Sequence, residues 1–167
     1  MPSLYEITVP AFLHSLNALS KILDKGVAFA DEKGMSHDEL LSARLAPDMH
    51  PLISQIQRAS DTARFVAVRV GGAAPKPMTD DEKTFADLQA RIAATRDYLK
   101  AVAPAGFDGK ESAEVKFKAG PRELTFTGQS YVSFFAIPNF YFHVTTAYDI
   151  LRHKGVQIGK LDYMGGA

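Results

Sequence analysis

The sequence has no cysteine and no tryptophan, and its 19 basic and 19 acidic side chains cancel. Without cysteine there is no thiol nucleophile, no disulfide framework, no thiolate-held zinc and no iron–sulfur cluster. A formal charge of zero gives no electrostatic grip on nucleic acid or anionic lipid, so neither is expected as a partner, and a small neutral ligand or a second copy of the chain is. No run of about 20 apolar residues occurs, and the start, MPSLYEITVPAF, lacks a basic region followed by an unbroken apolar one. A cytoplasmic protein with no membrane segment is the expectation. Also missing are a glycine-rich phosphate loop after a strand, a nucleophile elbow and a His-Glu-x-x-His helix. What the 167 residues do supply is an ordinary globular composition, 46% hydrophobic, sufficient for a single domain over 1–167 with its own apolar core.

Hydrophobic residues recur with helical spacing. Phe12, Leu16, Leu19, Leu23, Val27 and Ala30 predict a long amphipathic helix over about Thr8 to Lys33, stopped by Gly34. Ser36 to Glu39 has capping-box spacing and predicts a short helix through about Leu45. A second long helix opens after Pro47, with Asp48 as its N-cap and Pro51 in its first turn, and carries the stripe Leu52, Ile56, Ala59, Ala63, Val66, Val70. The loop Gly71 to Pro77 is long enough to cross the bundle. A second capping box at Thr79 to Glu82 is expected to start a third helix, with Phe85, Leu88, Ile92, Leu99 and Val102 in register. Between Gly109 and Thr127 the period changes to two, and Ala119-Gly120-Pro121 separates two short strands of a hairpin. Such a hairpin is marginal alone, so Val115, Phe117, Leu124 and Phe126 are expected to lie against the bundle or a partner. The last helix, about Gln129 to Lys154, is kinked or restarted at Pro138 and ended by Gly155, with a loosely packed tail after it. It holds seven of the 17 aromatic residues, which places it at the bundle centre or in a dimer seam. The fold class is all-α: a four-helix bundle with a long crossover between helices 2 and 3, one extra short helix, and a small β-hairpin before helix 4.

Among residues able to carry chemistry, His143 falls on the buried face of the last helix with Phe140, Ala147 and Ile150, and Asn139 precedes it by one turn. A buried imidazole needs a partner, so the pair reads either as a hydrogen-bonded core histidine or as part of a metal or catalytic set. His50, beside Pro51, sits where it could reach the bundle mouth. Gln55, near the Leu52 and Ile56 stripe, is the pocket candidate on the second helix, and Asp61, on another face before Phe65, suits a second contact surface. His153 reads as a helix C-terminal cation, Asp149 and Arg152 as a surface pair, and His14 and His37 as solvated.

The run Pro138 to His143, the following Thr146 to Gly155, the segment Arg44 to Met49 and the closing Ile158 to Tyr163 together resemble an uncharacterised bacterial branch of the DinB/YfiT-like superfamily of metalloenzymes. The resemblance implies a four-helix bundle, often dimeric, and a divalent ion held by one histidine of the second helix and two histidines spaced by four on the last. This sequence departs from that set: Asn139 stands four before His143, and the second helix has no histidine after Pro51. The expectation is a small ligand bound in a polar core pocket of Asn139, His143, Gln55 and Tyr141, the metal site being degenerate. The alternatives are a metal-dependent transferase or hydrolase, with zinc, nickel or manganese on His143, His50 and Asn139, and a dimeric interaction protein whose seam includes Phe65 or Phe135.

Overall fold

In the computed structural model, which describes residues 2–166, the first stripe forms α1 (Val9–Lys33), closed by Gly34 in the left-handed conformation at φ 61°. Phe12, Leu16, Leu19, Leu23 and Ala30 are buried as their spacing requires. The second stripe forms α3 (Leu52–Arg69), and every one of its six expected apolar positions is buried. Helix α4 (Phe85–Lys100) and the terminal helix α6 (Ile137–His153) follow. Helix α3 packs on α4 and α6, and α1 on the same two, so the four apolar stripes share one core. Phe12 of α1 stacks on Phe140 of α6 with ring centroids 4.1 Å apart. The protein is thus mostly helical with a small antiparallel hairpin, and among the described residues no helix is long and apolar enough to cross a membrane.

Local capping differs from the sequence expectation at three places. Short α2 (His37–Leu41) is capped by Ser36, but the hydroxyl accepts from Asp38 N rather than from Glu39, so no reciprocal box forms and the helix stops early. Thr79 to Glu82 does not open α4. The capping box belongs to Thr84 and Asp87, because Arg91 takes the Glu82 carboxylate and the Thr79 carbonyl for itself. Asp48 is likewise not an N-cap, since α3 starts one residue after Pro51.

Helices α3 and α4 run side by side in the same direction. Ser60 meets Thr95 at 2.6 Å, and Gly71, beyond the end of α3, shares a surface with Tyr98 and Val102 at the end of α4. The connection 70–84 therefore travels back along both helices. Tyr98 holds it at the Ala74 carbonyl, Arg64 at the Lys76 carbonyl and Arg91 at the Thr79 carbonyl. After α4, a 3-10 turn, Pro104–Phe107, returns to the core, and the backbone of Gly71 passes so close that any Cβ at Gly106 would lie 2.3 Å from its carbonyl oxygen.

Strands β1 (Glu114–Ala119) and β2 (Arg122–Thr127) pair with Val115 opposite Phe126 and Phe117 opposite Leu124, which puts the four apolar residues on one face. The chain then turns into α5 (Gly128–Tyr131), a π-helical turn at Val132–Ala136, and α6. Pro138 is the second residue of α6, where its missing N–H follows the wide turn, and the backbone stays helical across the junction, so the helix neither ends nor restarts at the proline. The tail is not loose. Helix α7 (Lys160–Tyr163) lies on α1, Lys25 pairs with Asp162 at 2.6 Å, and His14, though exposed, meets the Met164 carbonyl at 2.8 Å.

Candidate functional site

A run of positions on α3, Arg58, Thr62, Phe65 and Arg69, returns to one side of that helix by its i, i+4, i+7, i+11 spacing. Tyr131, Phe135, Asn139 and His143 form the opposing row at steps of four. In an unbroken α-helix steps of four drift by about 40° each, but the π turn inserts an extra residue and pulls the row straight. Between the two rows lies a cavity of about 240 Å³, closed at one end by Phe117 and Lys118 of the hairpin. The hairpin is held there by aromatic contacts, Phe117 meeting Phe135 at 5.0 Å and Tyr131 at 5.6 Å between centroids.

At the inner end His143 is 7% exposed, and its Nδ1 lies 2.7 Å from Gln55 Oε1. The other end of that amide is fixed, because Gln55 Nε2 donates to the His50 carbonyl. An amide oxygen only accepts, so Nδ1 carries the proton and Nε2 keeps its lone pair. Burial, with Arg58 and His50 adding positive charge nearby, pushes the His143 pKa down to about 4. At neutral pH the ring is uncharged, with Nε2 making no hydrogen bond among the described residues. Asn139 does not turn to His143. Its Nδ2 donates to Thr62 Oγ1 at 2.7 Å, tying α6 to α3.

Asp61 borders the same cavity and also a second groove with Phe65, and its Oδ1 is shared between Arg64 and Arg91. The Arg91 side chain is 1% exposed and also binds Glu82 at 2.7 Å and Asp80 at 3.0 Å. Burial raises the Glu82 pKa, but the hydrogen bonds from Arg91 and Gln57 outweigh it and hold the carboxyl below its ordinary value. Arg69, half-buried, is sandwiched, its guanidinium carbon 3.8 Å from the Phe117 ring centroid and 4.3 Å from that of Phe65, while one N–H donates to Tyr131 Oη.

Of the pocket residues expected from the sequence, Asn139 and His143 line the cavity, and Gln55 stands directly behind His143. Tyr141 is elsewhere, edge-on to Phe12 and Phe140 on the α1 side of the core. His50 is exposed and engages Gln55 through its backbone only. Phe135 packs among hairpin aromatics, and Phe65 is 38% exposed beside Arg69. Asp149 and Arg152 do not pair; Arg152 donates to the Val156 carbonyl instead. A divalent-ion site does not fit here. Asn139 commits its Nδ2 to Thr62 and offers at most its amide oxygen, His50 is exposed, and among the described residues no three of His, Asp and Glu gather as ligands. Sequence reasoning passed over Arg58, Thr62, Arg69 and Lys118. The spacing of the first three on α3 was readable, but they lie off the apolar stripe that drew attention, and only the hairpin brings Lys118 to them.

The model of one family, described as "Domain of unknown function (DUF1993)", matches residues 4–164. A solved structure described as a DinB family member protein from Shewanella denitrificans is 42% identical, superposes with a TM-score of 0.87, and is matched over 98% of this chain and 93% of that one. No curated protein matches the chain.

Proposed function

The chain belongs to the DUF1993 family, a DinB-like family, and from that premise we propose that it is a DinB-like four-helix bundle that binds a small molecule in the cavity between α3 and the last helix, in place of the metal its superfamily resemblance implies. The observation that carries this reading is His143: buried, neutral, its tautomer set by Gln55, with the lone pair of Nε2 left over beside a cavity of about 240 Å³. A fixed acceptor beside aromatic walls is what orients a small ligand.

A fragment set screened against protein labelled on histidine and asparagine nitrogen tests it. We expect at least one class of fragment to shift His143 Nε2 and the Asn139 amide saturably and to raise the thermal midpoint. Fragments that move neither signal at millimolar concentration refute the pocket. Zinc, nickel or manganese added to protein purified without a histidine tag should leave the midpoint unchanged; one bound equivalent lost in His143→Ala overturns the degenerate-site reading.

A second reading, association with another copy, is favoured by Phe134 and Phe142, which are 79% and 55% exposed. They are eight apart, and the π turn between them brings both toward one side of the helix. A paired apolar patch of that kind is a candidate dimer seam.

A further inference from the structure

The cavity carries more positive charge than its own carboxylate can answer. Asp61 is already shared between Arg64 and Arg91. Arg58, Arg69 and Lys118, which also line the cavity, form no ion pair among the described residues. His143 beside them is neutral. Arg69 is the most constrained of the three: aromatic rings cover its guanidinium at 3.8 and 4.3 Å, which leaves only the edge for hydrogen bonds, and one donor of that edge is spent on Tyr131. A guanidinium presents five N–H donors in a plane. The remaining edge donors match a carboxylate, which accepts two parallel bonds from such a fork. The neighbouring walls, Phe65, Phe117 and Phe135, are flat and apolar. A dry cavity of about 150 Å³ holds a benzene ring, so one of 240 Å³ has room for a single ring with substituents.

Resting on the pocket reading above, we propose that the ligand is a small aromatic carboxylate bearing a hydroxyl: its carboxylate pairs with the edge of Arg69, supported by Lys118, its ring lies against the phenylalanine walls, and its hydroxyl donates to His143 Nε2. The chemistry follows from the two ends of the cavity: Arg69 offers a guanidinium edge at one, and His143 offers a lone acceptor at the other, with the Arg58 cation beside it. Arg58, next to His143, adds to the long-range attraction for an anion.

The test uses the full chain and four probes measured by calorimetry and by the nitrogen spectrum of His143: 4-hydroxybenzoate, 4-hydroxybenzamide, benzoate and inorganic phosphate. We expect 4-hydroxybenzoate to bind most tightly, the uncharged amide and phosphate each to be weaker by about tenfold or more, and benzoate to bind without moving His143 Nε2. Arg69→Met should abolish the preference for acid over amide. Because that substitution also disturbs the packing on Phe117, the exposed Lys118→Gln serves as a second variant, expected to weaken the acid about threefold and leave the amide unchanged. An amide that binds as tightly as the acid and still shifts His143 overturns this proposal while leaving the pocket reading intact. Probes that all fail to move His143 and Asn139 overturn both. Phosphate binding equal to that of the acid shows a plain anion patch and overturns the aromatic carboxylate.

Discussion

His143 and Gln55 act as a unit whose behaviour should be visible in solution. The folded imidazole resists protonation until about pH 4, whereas the unfolded chain takes up the proton near 6.5. Between those values the unfolded state binds more protons, so stability is fully present above about pH 6.5 and is lost as the pH falls toward 4, at no more than about 1.4 kcal/mol per pH unit. Urea denaturation at stepped pH should show this slope, and a His143→Phe variant should lack it. Gln55→Glu places a carboxylate beside Nδ1, and the His143 titration followed by proton–nitrogen spectra should move upward by about 1 to 3 units. A titration that stays near 4 in that variant would show that Gln55 is not the partner. The position of His143 on a buried face was legible in its spacing from Phe140, Ala147 and Ile150. Gln55 was legible as a member of the same pocket, but not that it, rather than Asn139 one turn away, takes Nδ1, because that hydrogen bond crosses the core between residues 88 apart.

At the level of elements, long connection 70–84 is held by buried arginines rather than by apolar contacts. Arg91 joins Asp61, Asp80 and Glu82 with almost no exposure of its own. Removing it as Arg91→Met takes the counter-charge from Glu82 and Asp80 and leaves Asp61 to Arg64 alone, and we expect a loss of about 3 to 5 kcal/mol in urea denaturation, with new proteolytic cleavage between Gly72 and Pro77. Glu82, whose pKa is held low, contributes in the same sense: its share is present at neutral pH and fades as acid protonates it. The hairpin depends on Phe117, which touches Tyr131, Phe135, Phe126 and the Arg69 guanidinium. Phe117→Ala should cost about 2 to 4 kcal/mol and, in hydrogen exchange, expose the amides of β1 and β2 while α1 stays protected. Helix boundaries were readable where glycine and apolar periodicity agreed, as at Gly34. They were misread at Thr79, where a capping sequence was present but a buried arginine on the neighbouring turn competed for the same carboxylate and carbonyl.

For the molecule as a whole, association is the open measurement. Charge placed at Phe134 or Phe142, as Phe134→Lys and Phe142→Lys, should lower the mass seen in light scattering if those rings meet a second copy, with no loss of helicity since both are already exposed. Phe65→Lys is a separate probe, because its ring flanks Arg69 at the cavity and its loss should weaken ligand before it changes mass. By itself the sequence determined the helical class, the four stripes that fill the core, the hairpin and the single histidine on a buried face, because each is a periodic or local property of nearby residues. Only the tertiary structure decided which polar groups meet. The π turn aligns Tyr131 with His143, the hairpin brings Lys118 and Phe117 over Arg69, and Asp61 is claimed by Arg64 and Arg91. Those are pairings between distant segments, set by how whole elements pack, and nothing in the spacing along one helix specifies what another will place opposite it.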